Sequence, residues 1–320
     1  MSGSRFTGRT TGPNESRGLR KLAAAFAVLG VAMAGAAVAR PLDDVRQHGS
    51  LRVVVYSDFK PFSWLTPDGD VAGIDADIGR AIAEKLGLKA EIIARGAGEE
   101  VDDDIRSNIW QGPRTGGVKG DVMLHVPMDR ELIARNNLAA ISNAYYHEHV
   151  VLAVKADVLG EGASLDAFQE GKPNKVACQF ATSAHYFLAF AQDGKLRNNV
   201  SPFVKFESAV ENFLEGGSAG IMGRRAQIEA ALDGKDLKLS FSEPEFPETL
   251  RSKWNVGTAV QEDSRDLGYA IGGAIRELRS SGELTKIFEK YGVSYQAPKR
   301  IVNKVFERPG YDPLPPHLQR

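Results

Sequence analysis

The chain has 320 residues, with 40 basic and 41 acidic side chains, 42% hydrophobic residues and a single cysteine. So even a balance excludes the strongly basic surface that binding to a phosphate backbone demands, and one thiol, Cys178, excludes an internal disulfide framework. The length suffices for two lobes of one α/β fold whose core needs no covalent staples.

At the N-terminus Arg17, Arg20 and Lys21 precede an uncharged run over residues 22–38 that ends in Ala37-Val38-Ala39. This is the pattern of a secretory signal peptide over residues 1–39, cut after Ala39. The run is rich in Ala and Gly and at the short limit for spanning a bilayer, so export is read in preference to anchoring. Cleavage removes Arg5, Arg9, Arg17, Arg20, Lys21 and Glu15, leaving 35 basic and 40 acidic groups, a net charge of −5. The expected location is the periplasm.

From Leu51 onward two hydrophobic periods alternate. Leu51-Arg52-Val53-Val54-Val55 reads as a buried strand, and Ile74, Ile78, Ala81, Ile82 and Leu86 fall on one helical face that Gly87 terminates. Strands follow at 91–93 and 120–124, which is the βαβ alternation of a parallel sheet covered by helices. A second unit opens with a strand at 150–154. It continues with strands at 175–178, 204–206 and 219–222, and with helices at 183–192 and 208–215. A strand at 255–260 and helices at 266–279 and 282–291 complete the pattern. Cys178 lies in an apolar run and reads as a buried structural thiol. The tail, residues 297–320, carries Pro298, Pro309, Pro313, Pro315 and Pro316 and reads as an extended strap or a disordered end.

Several phrases, in their order and spacing, resemble the bacterial extracellular solute-binding proteins that serve polar amino-acid ABC transporters. Lys60-Pro61-Phe62-Ser63-Trp64, then Gly73-Ile74-Asp75-Ala76-Asp77-Ile78, is similar to that family's aromatic loop and first helix. Gly120-Asp121-Val122 leading to Asp129-Arg130, then Ser142 to Tyr146, is similar to its approach to the hinge. Gly282-Glu283-Leu284 through Tyr291 is similar to its terminal helix. The likeness covers most of residues 48–292. It implies an α/β, type II Venus-flytrap (periplasmic-binding-protein) architecture with two crossing strands at the hinge. Lobe 1 is then 40–148 with 256–296, and lobe 2 is 149–255. Ligand closes such lobes by hinge motion.

The resemblance also nominates a site. Phe62 and Trp64 match the family's ligand-stacking aromatics, whereas Phe59 reads as packing of its own loop beside Pro61. Arg130 occupies the place of an arginine that grips the ligand's α-carboxylate. His125 stands where the family has Ser or Thr, and is either a larger hydrogen-bond donor or a core residue. Thr182 and Ser183 open a helix whose free N–H groups suit an anion, and either can serve as a simple N-cap. Arg224, with Arg225 beside it, replaces the acid that neutralises the α-ammonium in amino-acid binders. One of these two arginines reads as a solvated charge at a helix start. The long segment 96–120 adds Trp110, Arg106 and Arg114 as candidates for a second aromatic wall and further anion contacts. Asp102 to Asp104 read as dipole-complementing residues at a helix start, and His147-Glu148-His149 as a polar hinge crossing rather than a metal site.

Arginines converging on a stack of aromatics point to a planar polyanion, and the resemblance extends to solute-binding proteins associated with quinoprotein dehydrogenases. Pyrroloquinoline quinone is therefore the expected ligand, as a bound molecule rather than a required cofactor. An amino acid or dicarboxylate for an ABC-type permease is the alternative. Two others are a docking partner of a periplasmic methanol or alcohol dehydrogenase, and an enzyme similar to cyclohexadienyl dehydratases. The latter needs an acid/base pair, for which His125 with Glu148 is the available nomination. A monomer that binds neither metal nor nucleic acid completes the expectation.

Overall fold

A computed structural model describes residues 40–299 except 115, 163 and 170–172. The expected signal peptide and all but the first three residues of the expected C-terminal tail lie outside the described residues. In chain order the elements are α1 (Leu42–His48), β1 (Ser50–Tyr56), β2 (Asp58–Phe59), β3 (Ser63–Leu65), β4 (Val71–Ala72), α2 (Ile74–Lys85), β5 (Lys89–Arg95), α3 (Val101–Ile105), β6 (Val122–Pro127), α4 (Arg130–Arg135) and β7 (Ala139–Lys155). They continue with α5 (Ala156–Leu159), β8 (Val176–Gln179), α6 (Ser183–Phe190), β9 (Val200–Phe203), α7 (Phe206–Leu214), β10 (Gly220–Arg224), α8 (Arg225–Leu232), β11 (Leu239–Ser242), β12 (Lys253–Gln261), α9 (Arg265–Ser280) and α10 (Glu283–Glu289).

The principal sheet has the order β5-β1-β6-β12-β7-β10-β8-β9, with β11 also on β7. In the first half β1 lies parallel to β5 and β6, with β12 antiparallel to β6. In the second, β10 and β9 flank β8 in parallel. The halves are joined by β7, a strand of 17 residues that pairs with β12 from Ala139 to His149 and with β10 from Val150 to Val154. The chain returns through β12, which begins at Lys253. Two crossings between two half-sheets are the consequence.

Most buried residues pack within one half, although Ala226 of α8 joins the cluster of the first half. Ile74, Ile78 and Ile82, one face of α2, pack with Val53, Val55, Val122 and Leu124 from the sheet beneath. In the second half the residues of β7 alternate sides, as a pleated strand requires. Val150, Leu152 and Val154 face one cluster, whereas Val151 and Ala153 face another. Burial on both faces explains the uninterrupted apolar run.

Two expectations are corrected. The strand expected at 204–206 lies instead at β9, and Phe206 starts α7. Val204 is 83% exposed, so its apolar character does not reflect a buried pleat. The strand expected from Val150 begins eleven residues earlier, because polar residues that interrupt the pattern find partners: the Asn143 amide donates to the Gly268 carbonyl at 2.8 Å, and the His147 N–H to the Gln296 carbonyl at 2.9 Å. That second bond belongs to a strap. After α10, the Ser294 N–H donates to Glu229 on α8, the Tyr295 hydroxyl to the Tyr145 carbonyl, and the Asn255 amide to the Lys299 carbonyl.

Candidate functional site: a cleft between the half-sheets

The carboxyl ends of β1, β6 and β10 converge on the space between the halves, the position at which open α/β folds place ligands. A cavity of about 640 Å³ there is walled from the first half by Tyr56, Asp58, Phe59, residues 96–101, Asp104 and His125, and from the second by Ser183 and Arg224, with Arg251 and Trp254 at the second crossing. A second cavity of about 590 Å³ shares Asp58, Phe59, Ser183, Arg224 and Trp254 with the first. The two are contiguous around Arg224.

Arg224 ends β10. Its guanidinium carbon lies 4.9 Å from the centre of the Phe59 ring and 5.6 Å from that of Trp254. Among the described residues it has no ion pair or hydrogen bond. Burial depresses its proton affinity, an effect opposed by the nearby Glu148 carboxyl and Tyr56. With aromatic rings beside the guanidinium, its in-plane N–H groups are left to bind a planar anion.

The opposite wall is held by a buried trio. His125 adopts a left-handed backbone, φ 60°, and its Nδ1 lies 2.9 Å from Asp75 Oδ2. The Tyr145 hydroxyl donates to Asp75 Oδ1 at 2.6 Å and accepts from the His125 N–H at 3.0 Å. The imidazole thereby stands edge-on to Phe59, centres 4.7 Å apart, and Nε2 keeps no protein partner among the described residues. Beside it Asp104 accepts from the Tyr56 hydroxyl at 2.8 Å and the Gly98 N–H at 2.7 Å, while burial pushes its carboxyl above the ordinary range. Burial raises Tyr56 as well, so its hydroxyl stays a donor.

On the second half Thr182 caps α6. Its hydroxyl donates to the Gln179 carbonyl at 2.7 Å and accepts from the His185 N–H at 3.3 Å. Ala181, Thr182 and Ser183 line the second cavity, and Ser183 lines both.

The structure thus brings together His125, Thr182, Ser183 and Arg224, and separates the other nominated residues from them. Phe62 is fully buried against Phe59, His125 and Tyr146, a core residue one layer behind the wall. Trp64 packs edge-on against Tyr291 and lines a smaller cavity of about 410 Å³ that shares Lys60, Phe206, Glu207 and Gln227 with the second one but does not reach Arg224. Trp110 packs on the core of the first half. Arg114 is exposed and lines neither cavity. Arg130 is exposed on the first turn of α4, outside both cavities, and the adjacent Asp129 carboxylate is taken by the Leu132 N–H and Arg251. Arg225 turns away to Glu229 at 2.6 Å, with the Phe241 ring 5.3 Å off.

Phe59, Trp254, Tyr56, Asp58 and Asp104 were not among the nominated residues. Phe59 had a signal, since it lies closest of the loop aromatics to the end of β1. Trp254 had one too, as an aromatic opening the strand that crosses back. At the first crossing His147 Nδ1 lies 2.9 Å from Asn255 Oδ1, and His149 Nε2 lies 3.3 Å from Glu243. No group of three metal-ligating side chains occurs among the described residues. The Cys178 thiol is buried and pushed up to about 12 by desolvation, which leaves it inert.

The family model for bacterial extracellular solute-binding proteins, family 3, matches residues 51–103. Cyclohexadienyl dehydratase of Pseudomonas aeruginosa is 38% identical over 81 residues, 25% of this chain and only 30% of that protein. The L-arginine-binding protein of the same species is 24% identical over 243 residues, 75% of this chain and 87% of the relative. An ancestral cationic amino acid solute-binding protein of known structure superposes with a TM-score of 0.62 at 21% identity, over 78% of this chain and 99% of that one. The architecture is therefore the two-lobed fold of periplasmic binding proteins, and the contiguous cavities occupy its interlobe cleft.

Proposed function

We propose that this chain is an exported solute-binding protein that captures an amino-acid-type solute between its lobes and delivers it to an ABC-type permease. The observation that carries this reading is Arg224, a guanidinium unpaired among the described residues, set beside aromatic rings and lining the interlobe cleft alongside Ser183 at the start of α6. A carboxylate is the natural partner of such a group. The similarity to an L-arginine-binding protein along three quarters of the chain supports the amino-acid class.

Pyrroloquinoline quinone falls behind this reading. The expectation of a planar polyanion rested on Arg130, the Thr182-Ser183 turn and Arg224 converging beside stacking tryptophans; Thr182, Ser183 and Arg224 line the two contiguous cavities, whereas Arg130, Trp64, Trp110 and Arg114 do not. The reported relatives likewise lend no support to a quinoprotein dehydrogenase as partner.

Trp254, against Arg224, supplies the assay. Titration of the purified protein with a panel of amino acids is expected to change tryptophan fluorescence saturably, with one-to-one stoichiometry for at least one of them. Tighter binding of pyrroloquinoline quinone than of every amino acid overturns the reading. The dehydratase similarity motivates a control with cyclohexadienyl substrates. Steady turnover would establish an enzyme, although the nominated acid/base pair does not form: His125 pairs with Asp75, and Glu148 lines neither cavity.

A further inference from the structure

Charge is segregated between the two contiguous cavities. The larger is lined by Asp58, Glu99, Glu100 and Asp104, and its cations are Arg224 and an Arg251 already paired with Asp129. The second is lined by Lys60, Lys205 and Arg224, against Asp58 and Glu207. Both lysines are exposed, and their ammonium groups make no ion pair or hydrogen bond among the described residues. Lys60 follows β2 on the first lobe and Lys205 immediately precedes α7 on the second, so cations from both lobes line one space. Uncharged donors add to them. The backbone N–H groups of Ser183 and Ala184, at the start of the eight-residue helix α6, make no hydrogen bond among the described residues, and both residues line this cavity. The turn that leads into them holds Ala181 in a left-handed backbone, φ 59°, a conformation that costs energy for a residue with a Cβ. Like charges drawn from two lobes resist approach unless an anion lies between them, and free N–H groups at a helix start favour the same occupant. One carboxylate satisfies Arg224 and leaves both lysines unmatched.

We infer, resting on the amino-acid reading above, that the solute carries a second acidic group, carboxyl or phosphoryl, which the second cavity holds between Lys60 and Lys205 beside the start of α6 while the α-carboxylate engages Arg224. The acids of the larger cavity are then left to the α-ammonium. Lys60 and Lys205 set the preference for an acidic side chain, and because they come from opposite lobes the second acid is also what lets their two walls approach. A cationic side chain in this cavity meets three like charges, and an uncharged one leaves them unmatched.

Matched pairs of probes isolate the second acid: L-glutamate with its amide L-glutamine, and O-phospho-L-serine with L-serine, with L-arginine as the cationic comparison. In calorimetric titrations of the purified protein the acidic member of at least one pair is expected to bind about tenfold or more tightly than its neutral counterpart, the gain of a charge-assisted contact. The tighter of the two acids identifies the group as carboxyl or phosphoryl. Lys60→Gln and Lys205→Gln are each expected to shrink the ratio of acidic to neutral affinity about threefold, as suits exposed charges, and added salt to shrink it in wild type. Lys205→Glu is expected to reverse the preference. The wild-type pairs need no variant, so a substitution that failed to fold would leave the test intact. Neutral members binding as tightly as both acids, L-arginine binding most tightly of all, or a ratio unmoved by either lysine replacement would each overturn the second acidic group and leave an amino-acid-binding protein standing. Absence of binding by any amino acid, acidic or not, would remove the function reading itself.

Discussion

Glu148 is fully buried on β7 where the strand passes between lobes, and burial pushes its carboxyl from 4.5 up to about 7 against the pull of Arg224. The next residue, His149, is buried and driven from 6.5 down to about 4 by the same desolvation. Their linkage to stability has opposite signs. An acid whose pKa is raised on folding favours the folded state at low pH, and that contribution is lost as pH rises from 4.5 to about 7. A base whose pKa is lowered disfavours the folded state when acidified, so its contribution is regained as pH rises from about 4 to 6.5. Each shift is worth about 3 kcal/mol, so the two largely cancel in wild type. Glu148→Gln is therefore expected to make the melting temperature climb with pH between about 4 and 6.5, and His149→Gln to make it fall between 4.5 and about 7. Profiles parallel to wild type in both variants would show that neither group titrates as its burial implies. The pattern His147-Glu148-His149 was visible in the sequence as a polar crossing. The direction of each shift was not, because it comes from burial by elements remote in the chain, which outweighs the opposing pull of Arg224 on Glu148 and of Glu243 on His149.

The docking of α9 on β7 depends on a close approach at Gly272. A methyl group there would lie 2.4 Å from Asn143 Oδ1. Asn143 cannot swing aside cheaply, since it holds a left-handed backbone with φ 58° and its amide is bonded to the Gly268 carbonyl. Gly272→Ala is expected to destabilise the protein by about 1–3 kcal/mol through overpacking, read as a lower urea midpoint with an unchanged slope. An unchanged midpoint would mean that the helix can lift without loss. Elements of this kind were well marked wherever one period governed a segment: the Ile74, Ile78, Ile82 face of α2 needed only helical spacing. The site elements were less legible. The boundary between β9 and α7 turns on which of Val204 and Phe206 is buried, which tertiary packing decides. Arg224 and Arg225 are adjacent in sequence, yet one ends β10 facing the cleft and the other begins α8 paired with Glu229. The turn between the two elements makes that choice.

At the scale of the molecule, two crossings join the half-sheets, and apart from Ala226 of α8, which packs into the core of the first half, each half buries its own apolar residues. Saturation with the amino acid selected by the fluorescence assay is expected to reduce the radius of gyration in small-angle scattering, because the solute contacts both walls of the cleft. Unchanged scattering at saturation would place capture within one lobe. The alternation of strand and helix periods already implied two α/β units. That β7 is a single strand shared by both was hidden, because its polar stretch is satisfied by β12 and by residues that lie about 150 positions further along the chain.

The strap after α10 bears on how the protein could be built into a sensor. Residues 294–299 are fastened to Glu229, Tyr145, His147 and Asn255, so the chain leaves the described structure at the pivot rather than from the far rim of either lobe. A point close to an axis travels little when the bodies around it rotate. A fluorophore attached at Lys299 would be a poor ruler of closure and a good fixed origin, against which a second fluorophore on α5, carried by the second lobe, would sweep the larger arc.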